Sequence, residues 1–478
     1  MLPARYGRLV HRAGQLIRGG VLGFVLAAGA TERGAWGSES SLPPRQGIRG
    51  GALDEVEVNG VSVAWRSLEE PKTPESVELR WHVSGETGGR AFQVPTCAGR
   101  GAIQLDRKEY VAPDAGPYLL PLSPGEHIVS IRVTVSGYER RIACGEPARV
   151  GVPEPLLREG LLRLGFASPY TNGGRAVVFL PAGHDSARPC ALLVLLHPWN
   201  GSIWTYAAYN ELLDEAAKRD VVLLFPSGLG NSLYIGSAED EVLRALDAVR
   251  SVVAVDGSRV SLAGASMGGA GATTIGFHVP DRFASITSFF GDSKYDLGTY
   301  VKAILRDEAD AHKVNALDVV ENARNVPVWL IHGEDDRVSP IAQSEMLARA
   351  LTTRAFAVRF DRVPGMGHAG ALVARFAREL VARASEARAP TYPPRVSYRS
   401  VRPGDHGAYG VTIERAHAGD AFVDVEGVGA DVRVHAAENV RAIALAPGAL
   451  GVAPGTHVAF DPGAGPVPVS WSPPVGGL

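Results

Sequence analysis

The chain has 478 residues, of which 45% are hydrophobic and 21% charged, and a formal net charge of -3. That length exceeds one ordinary core and predicts about three domains, while the composition is that of a globular protein and excludes a largely disordered chain. Basic residues are mostly arginine and are spread along the chain, so no electrostatic footprint marks nucleic acid as a partner.

Taken in chain order, Arg5, Arg8, Arg12 and Arg18 precede a short apolar run from Val21 to Ala28, followed by Ala28-Gly29-Ala30. Basic region, apolar stretch and small-residue site predict a signal peptide over 1–30, and hence a secreted or periplasmic protein. The run is too short to cross a bilayer as a helix, and no later segment is apolar enough, so the mature protein is expected to be soluble without a membrane span. Residues 31–52, rich in Gly, Ser, Pro and charge, are expected to be a linker. Over 53–152 short alternating runs predict a β-sandwich. Val56 to Trp65 is two runs around Asn59-Gly60, the signature of a tight hairpin, and further strands are expected at Val77 to Val83 and Ile128 to Val135. Cys97 and Cys144 lie in this region. Either they pair in an oxidising compartment, leaving Cys190 free, or they are two buried thiols; their spacing is not that of a zinc site.

The pattern changes over 158–388. Leu192 to Leu196 and Val221 to Phe225 are continuous apolar runs, as expected of parallel strands covered on both faces, and Val260 to Ala263 and Val326 to Ile331 extend the series. Helical spacing falls between them at Ser202 to Arg219, Glu239 to Val253, Ala342 to Leu351 and Leu372 to Ala387. The alternation predicts an α/β fold with a doubly wound sheet. The Pro-rich Ala389 to Pro394 marks a boundary, and 395–478 holds short strands separated by Gly, Pro and Asp, a second small all-β module.

Three segments of the central region are suited to chemistry. Gly264-Ala265-Ser266-Met267-Gly268-Gly269 stands between a predicted strand and a predicted helix. A serine there sits on a tight turn that lifts its hydroxyl to the rim of the sheet, as a nucleophile requires. The strand Val328 to Ile331 runs into His332-Gly333-Glu334-Asp335-Asp336. A carboxylate at that end suits the acid that orients an imidazole; Asp336 is the choice and Asp335 the fallback, against the alternative that both aspartates cap the next helix. His332 is expected to be structural. The third segment, Val363 to His368, presents a loop histidine among glycines, and imidazole titrates near neutral pH, as a general base should. The order Ser266, Asp336, His368 is the one α/β-hydrolase topology imposes. For the oxyanion, the N–H of Met267 is one expected donor. His197-Pro198-Trp199-Asn200-Gly201 follows another strand and should supply the second; Pro198 has no N–H, so Trp199 is chosen, with packing of its ring over the sheet as the alternative role.

Together with Pro280-Asp281-Arg282-Phe283-Ala284, these strings occur in an order that resembles the α/β-hydrolases grouped with polyhydroxybutyrate-depolymerase-like esterases and the prolyl-oligopeptidase-type catalytic domain, over about Leu161 to Ala387. The resemblance implies a serine hydrolase working through an acyl-enzyme, with no metal or organic cofactor and an ester-containing small molecule or polymer as substrate. It also implies an immunoglobulin-like domain ahead of the catalytic one. His197-Pro198-Trp199 departs from the His-Gly-Gly usual in that loop. No seven-bladed propeller is present, which favours an ester hydrolase over a peptidase. A third alternative is an inactive binding or adhesion protein carried by the flanking β modules.

Overall fold

The computed structural model describes residues 48–471 apart from 66–75, 86–90, 96, 98–99, 111–117, 135–141, 143, 145–146, 154–159, 172, 182 and 186–187. The expected leader, and the linker as far as residue 47, lie outside the described residues.

At the N-terminal end, Glu55–Val58 and Val61–Ala64 pair antiparallel through Asn59-Gly60. Both turn residues have positive φ, +50 and +86, as a two-residue hairpin turn of matching twist demands. Along Ser76–Gly85 every second residue, Val77, Leu79, Trp81 and Val83, is buried, and the strand pairs over its whole length with Gly125–Thr134. These strands belong to a six-stranded sheet. A second layer of Ile48–Ala52, Arg149–Pro153, Ala91–Val94 and Tyr118–Pro121 shares one core with it, in which Phe92, Val94 and Leu120 meet Leu79 and Trp81. Ile48–Ala52 was expected to end the linker, yet it is a strand paired with Arg149–Pro153. Its Gly-rich composition concealed a pairing with a segment about a hundred residues further along the chain. Cys97 and Cys144 form a disulfide inside this module, and Cys190 is free and buried.

The central sheet contains β1 (Gly160–Phe166), β2 (Gly174–Leu180), β3 (Cys190–Leu196), β4 (Val221–Pro226), β5 (Val255–Ala265), β6 (Ser285–Phe289), β7 (Val328–Gly333) and β8 (Val358–Val363). Their spatial order is β1-β2-β4-β3-β5-β6-β7-β8, antiparallel at β1-β2 and β2-β4 and parallel thereafter. The apolar run of β3 divides between two cores: Leu192, Val194 and Leu196 face one, Ala191, Leu193 and Leu195 the other. The first is covered by α2 (Ser237–Val252), α3 (Met267–His278) and α4 (Ala342–Thr353); α1 (Asn210–Arg219) and α5 (Ala377–Glu386) cover the second. Two expected helices are shorter than their periodicity suggests. The stretch from Ser202 breaks at Tyr209 into a 3-10 turn and α1, and the stretch from Leu372 breaks at Phe376 into Ala371–Arg375 and α5. Both breaks carry aromatic rings into the second core, where Tyr209 and Phe376 pack. Tertiary packing overrides local propensity there.

The N-terminal layer is continuous with this sheet. Leu119 lies opposite Leu164 of β1 in parallel register, giving one twelve-stranded sheet. An edge strand that would otherwise offer open hydrogen-bonding groups is thereby covered.

At the C-terminal end two four-stranded sheets enclose a core of Val396, Tyr398, Val423, Val425, Val434, Ile443 and Leu445. The strands Gly407–Ala408 and Val458–Phe460 were too short to stand out in the sequence. The module docks through buried polar contacts. Tyr398 donates its hydroxyl to the carbonyl of His278 (2.9 Å) and Tyr409 to that of Pro280 (3.0 Å), while Asn322 bonds both the N–H and the carbonyl of Arg399. His278 ends α3, whose twelve residues span roughly 18 Å from Ser266 at its start. Docking at His278 leaves the rim near Ser266 clear.

Candidate active site

β5 ends at Ala265 and α3 begins at Met267, so Ser266 alone makes the turn from strand to helix. Its backbone has φ +57 and ψ -120, a conformation costing a residue with a β-carbon on the order of 1–3 kcal/mol. Two bonds hold it: Ser266 N–H donates to the Phe289 carbonyl on β6 (2.9 Å), and Ala270 N–H donates to the Ser266 carbonyl (3.0 Å). The flanking glycines are needed for space. A β-carbon on Gly264 would collide with the carbonyl of Gly268, and one on Gly268 with the carbonyl of Leu196.

The imidazole of His368 arrives from the loop after β8. Its Nε2 lies 2.8 Å from Ser266 Oγ, across a sequence separation of 102 residues, and its Nδ1 lies 2.7 Å from Asp336 Oδ2. The three side chains are therefore joined as expected, with the histidine side chain only 4% exposed. Asp336 Oδ1 accepts the N–H groups of Val338 (2.8 Å) and Ser339 (2.9 Å). Asp336 thus closes its own turn with one oxygen and meets His368 with the other; it does not cap the next helix, the alternative weighed for it, because α4 begins at Ala342 behind Ile341 and has no side-chain cap. Burial would raise the Asp336 carboxyl, but hydrogen bonds from His332 and His368, the charge of His368 and the Val338 amide outweigh it and hold the group well below the usual carboxylate range. Asp335, the fallback, is exposed. His332 is fully buried and touches no Ser266 atom by hydrogen bond; its Nδ1 lies 2.8 Å from Ser344 Oγ and its Nε2 2.8 Å from the Ser339 carbonyl.

Two residues that sequence reasoning missed complete the acid side. Phe290, buried and with φ +41, sets its ring edge-on to His368 at 4.6 Å between centroids. A bulky residue in the left-handed region is an outlier that the surroundings must over-determine; here the Phe290 N–H is held by the Ile331 carbonyl at 2.8 Å. Asp292, two residues on, accepts the Ser339 hydroxyl at 2.5 Å. Burial raises its carboxyl, against the pull of Ser339, His368 and His332. The one available signal for either was position, since both follow the end of a strand adjacent to β5.

On the opposite side, Pro198 to Gly201 form a turn closed by Gly201 N–H to the Pro198 carbonyl (2.8 Å), with Asn200 at φ +61. Trp199, the expected second donor, occupies the turn, and its half-buried ring packs on the first core, the alternative weighed for it. Met267 opens the first turn of α3, where N–H groups have no carbonyl partner four residues back. The turn is tied down by groups invisible to motif reading. Asn231 Oδ1 accepts the Asn200 N–H (2.6 Å) and Asn231 Nδ2 donates to Asn200 Oδ1 (2.8 Å). Tyr206 and Tyr234 donate their hydroxyls to the carbonyls of Leu196 (2.8 Å) and His197 (3.2 Å). The Tyr234 ring fills space left by Gly228 and Gly271, and its own backbone is left-handed at φ +57. His197 lies buried with its nitrogens 2.9 Å and 3.0 Å from the carbonyls of Pro198 and Ser227, and burial holds the imidazole below its ordinary value despite those bonds. Among the described residues no helix is long and apolar enough to cross a membrane.

Residues 236–386, which include Ser266, Asp336 and His368, match the prolyl oligopeptidase family. No curated protein matches the sequence. Among solved structures, an S-formylglutathione hydrolase from Agrobacterium tumefaciens is 17% identical, the match covering 48% of this chain and 97% of that one with a TM-score of 0.43. Est1E from Butyrivibrio proteoclasticus is 15% identical over 47% of this chain and 99% of its own, with a TM-score of 0.38. An acylaminoacyl peptidase from Pyrococcus horikoshii is 17% identical over 47% of this chain, with a TM-score of 0.39, and only 40% of that longer protein is spanned. The central part of the chain thus has an α/β-hydrolase fold in which residues 236–386 are similar to the prolyl oligopeptidase family, and the protein is a serine hydrolase of the esterase or peptidase type.

Proposed function

We propose that the protein is an exported carboxylic-ester hydrolase whose nucleophile, general base and orienting acid are Ser266, His368 and Asp336. The observation that supports this is the unbroken hydrogen-bonded chain from Ser266 Oγ through His368 to Asp336 Oδ2. Ser266 Oγ attacks the ester carbonyl as His368 Nε2 takes its proton, and the N–H groups of Met267 and Trp199 receive the oxyanion. Collapse breaks the bond to the alcohol, which leaves with the proton from His368. A water then attacks the acyl group, His368 takes its proton and returns it to Ser266 Oγ, and the carboxylic acid departs.

Export is supported by the leader-like residues 1–30 and by the Cys97–Cys144 disulfide, which persists in oxidising compartments. The domain limits are part of this proposal: an immunoglobulin-like module expected at 53–152 and extended to residue 48 by the strand Ile48–Ala52, the catalytic domain at 158–388 and a β module at 395–478. A peptidase is the second reading, favoured by the family match. Two flanking β modules, with no propeller among the described residues, favour the ester. A panel of short acyl esters and chromogenic peptides separates the two, and turnover of amides alone overturns the ester assignment. Ser266→Ala is expected to lower kcat by on the order of 10^5 or more and to abolish labelling by a fluorophosphonate probe. Equal labelling of wild type and variant would show that the nucleophile lies elsewhere and would also revive the inactive binding-protein alternative for this site.

A further inference from the structure

We propose that His332 and Asp292 are positioning residues that set the charge on the acid side of the triad, and with it the pH at which His368 serves as base. This rests on the triad assignment above. Asp336 Oδ2 is approached by two imidazoles, His368 Nδ1 at 2.7 Å and His332 Nε2 at 3.3 Å. Among the described residues His332 Nε2 faces the Ser339 carbonyl at 2.8 Å and that carboxylate, both acceptors, so this nitrogen carries the proton, donates it to Ser339 and turns its positive end toward Asp336. Its Nδ1 is held by the Ser344 hydroxyl, and the side chain is wholly shielded from water, which fixes the ring in this orientation. The N–H dipole 3.3 Å from Asp336 Oδ2 offsets part of the carboxylate charge and weakens its attraction for the imidazolium that forms on His368.

Asp292 acts in the opposite sense. Ser339 bridges the two carboxyls, its N–H on Asp336 Oδ1 (2.9 Å) and its hydroxyl on Asp292 Oδ1 (2.5 Å). The charged groups facing Asp292 are His368 from the loop after β8 and His332 and Asp336 from the end of β7. A negative charge on Asp292 favours a proton on His368. One serine thus couples two carboxyls and a second imidazole to the base, and the HisGly string that sequence reasoning set aside as structural becomes part of the working site.

The test is the pH profile of kcat/KM for the full-length protein on an ester that the wild type hydrolyses. His332→Met removes the donor while keeping bulk. It is expected to move the acid limb to higher pH by about half a unit or more and to lower the plateau roughly tenfold. His332→Gln, whose amide N–H can take the place of Nε2–H, should return the limb close to wild type. Asp292→Asn, isosteric and uncharged, should move the limb about half a unit the other way, to lower pH. A role confined to packing lowers activity without these opposed shifts. Unmoved limbs in both His332→Met and Asp292→Asn, or shifts of the same sign, overturn the proposal. If His332→Met does not fold, the Asp292→Asn profile decides, and a limb that stays at the wild-type pH or moves upward overturns the proposal. Ser266→Ala run in parallel keeps the two readings apart, because activity surviving in it sinks the triad assignment itself, whatever the limbs do.

Discussion

At the scale of single residues, the site depends on backbone positions that only one side chain or none can occupy. Ser266 tolerates its left-handed turn because strand and helix hold it on both sides, and the glycines at 264 and 268 exist to let neighbouring carbonyls approach. Gly268→Ala forces its new methyl against the Leu196 carbonyl, which belongs to backbone and cannot swing aside. The expected outcome is a loss of about 1–3 kcal/mol in stability, read by denaturant unfolding, together with a fall in kcat as the neighbouring turn at Pro198 to Gly201 is pushed outward. A variant as stable and as active as wild type would show that the turn is looser than its geometry implies. Phe290 belongs to the same class of residue, since its strained backbone presses an aromatic edge against His368.

At the scale of elements, the proposed chemistry depends on two loops held from below. The turn after β3 is anchored by Tyr206 and Tyr234 on consecutive carbonyls, at Leu196 and His197, and by Asn231 on Asn200. Asn231 lies in a loop with left-handed Leu229, Leu233 and Tyr234, so strain is concentrated where the loop meets the site. If this anchoring fixes the second oxyanion donor, Asn231→Ala should lower kcat roughly tenfold with little change in KM, because the interaction lost is felt mainly in the transition state. A change in KM alone, measured by steady-state kinetics on the same ester, would assign Asn231 to substrate binding instead. The loop after β7 is held by Asp336 itself, which caps its own turn with one oxygen while the other takes His368.

For the whole molecule, the C-terminal module is joined to the catalytic domain by buried charge. Arg402 bonds both carboxylate oxygens of Glu239 on α2, at 2.5 and 3.0 Å, and reaches Asp405, which in turn meets His278 at 3.1 Å. Burial would raise the Asp405 carboxyl, but the His278 bond and charge together with Arg402 hold it down at about 2, against an ordinary 3.8. A depressed carboxyl contributes stability that is complete above its unfolded value and is lost as pH falls through its folded one. The module interface should therefore weaken between about pH 4 and pH 2, seen as a falling Tm by calorimetry, and Asp405→Asn should flatten that part of the curve. An identical acid dependence in the variant would show that other carboxyls govern it. The interface sits about the length of α3 from Ser266, so activity lost on weakening it would travel through folding rather than through the site.

The sequence by itself determined what depends on neighbours in the chain. Period-two and continuous apolar runs announced the strands, the Asn59-Gly60 pair its hairpin, and the glycine spacing around Ser266 its turn, because each is set by local sterics and by which face is buried. The order of Ser266, Asp336 and His368 followed from connectivity, which a linear string records. Only the tertiary structure decided that Ile48–Ala52 is a strand, that Leu119 meets Leu164 to merge two sheets, and that Cys97 finds Cys144, since each pairing joins segments without a shared local pattern. It likewise decided that Asp292, Ser339 and His332 surround Asp336. Their residue types are common, and their proximity comes from adjacent strand ends whose lateral order no single sequence records.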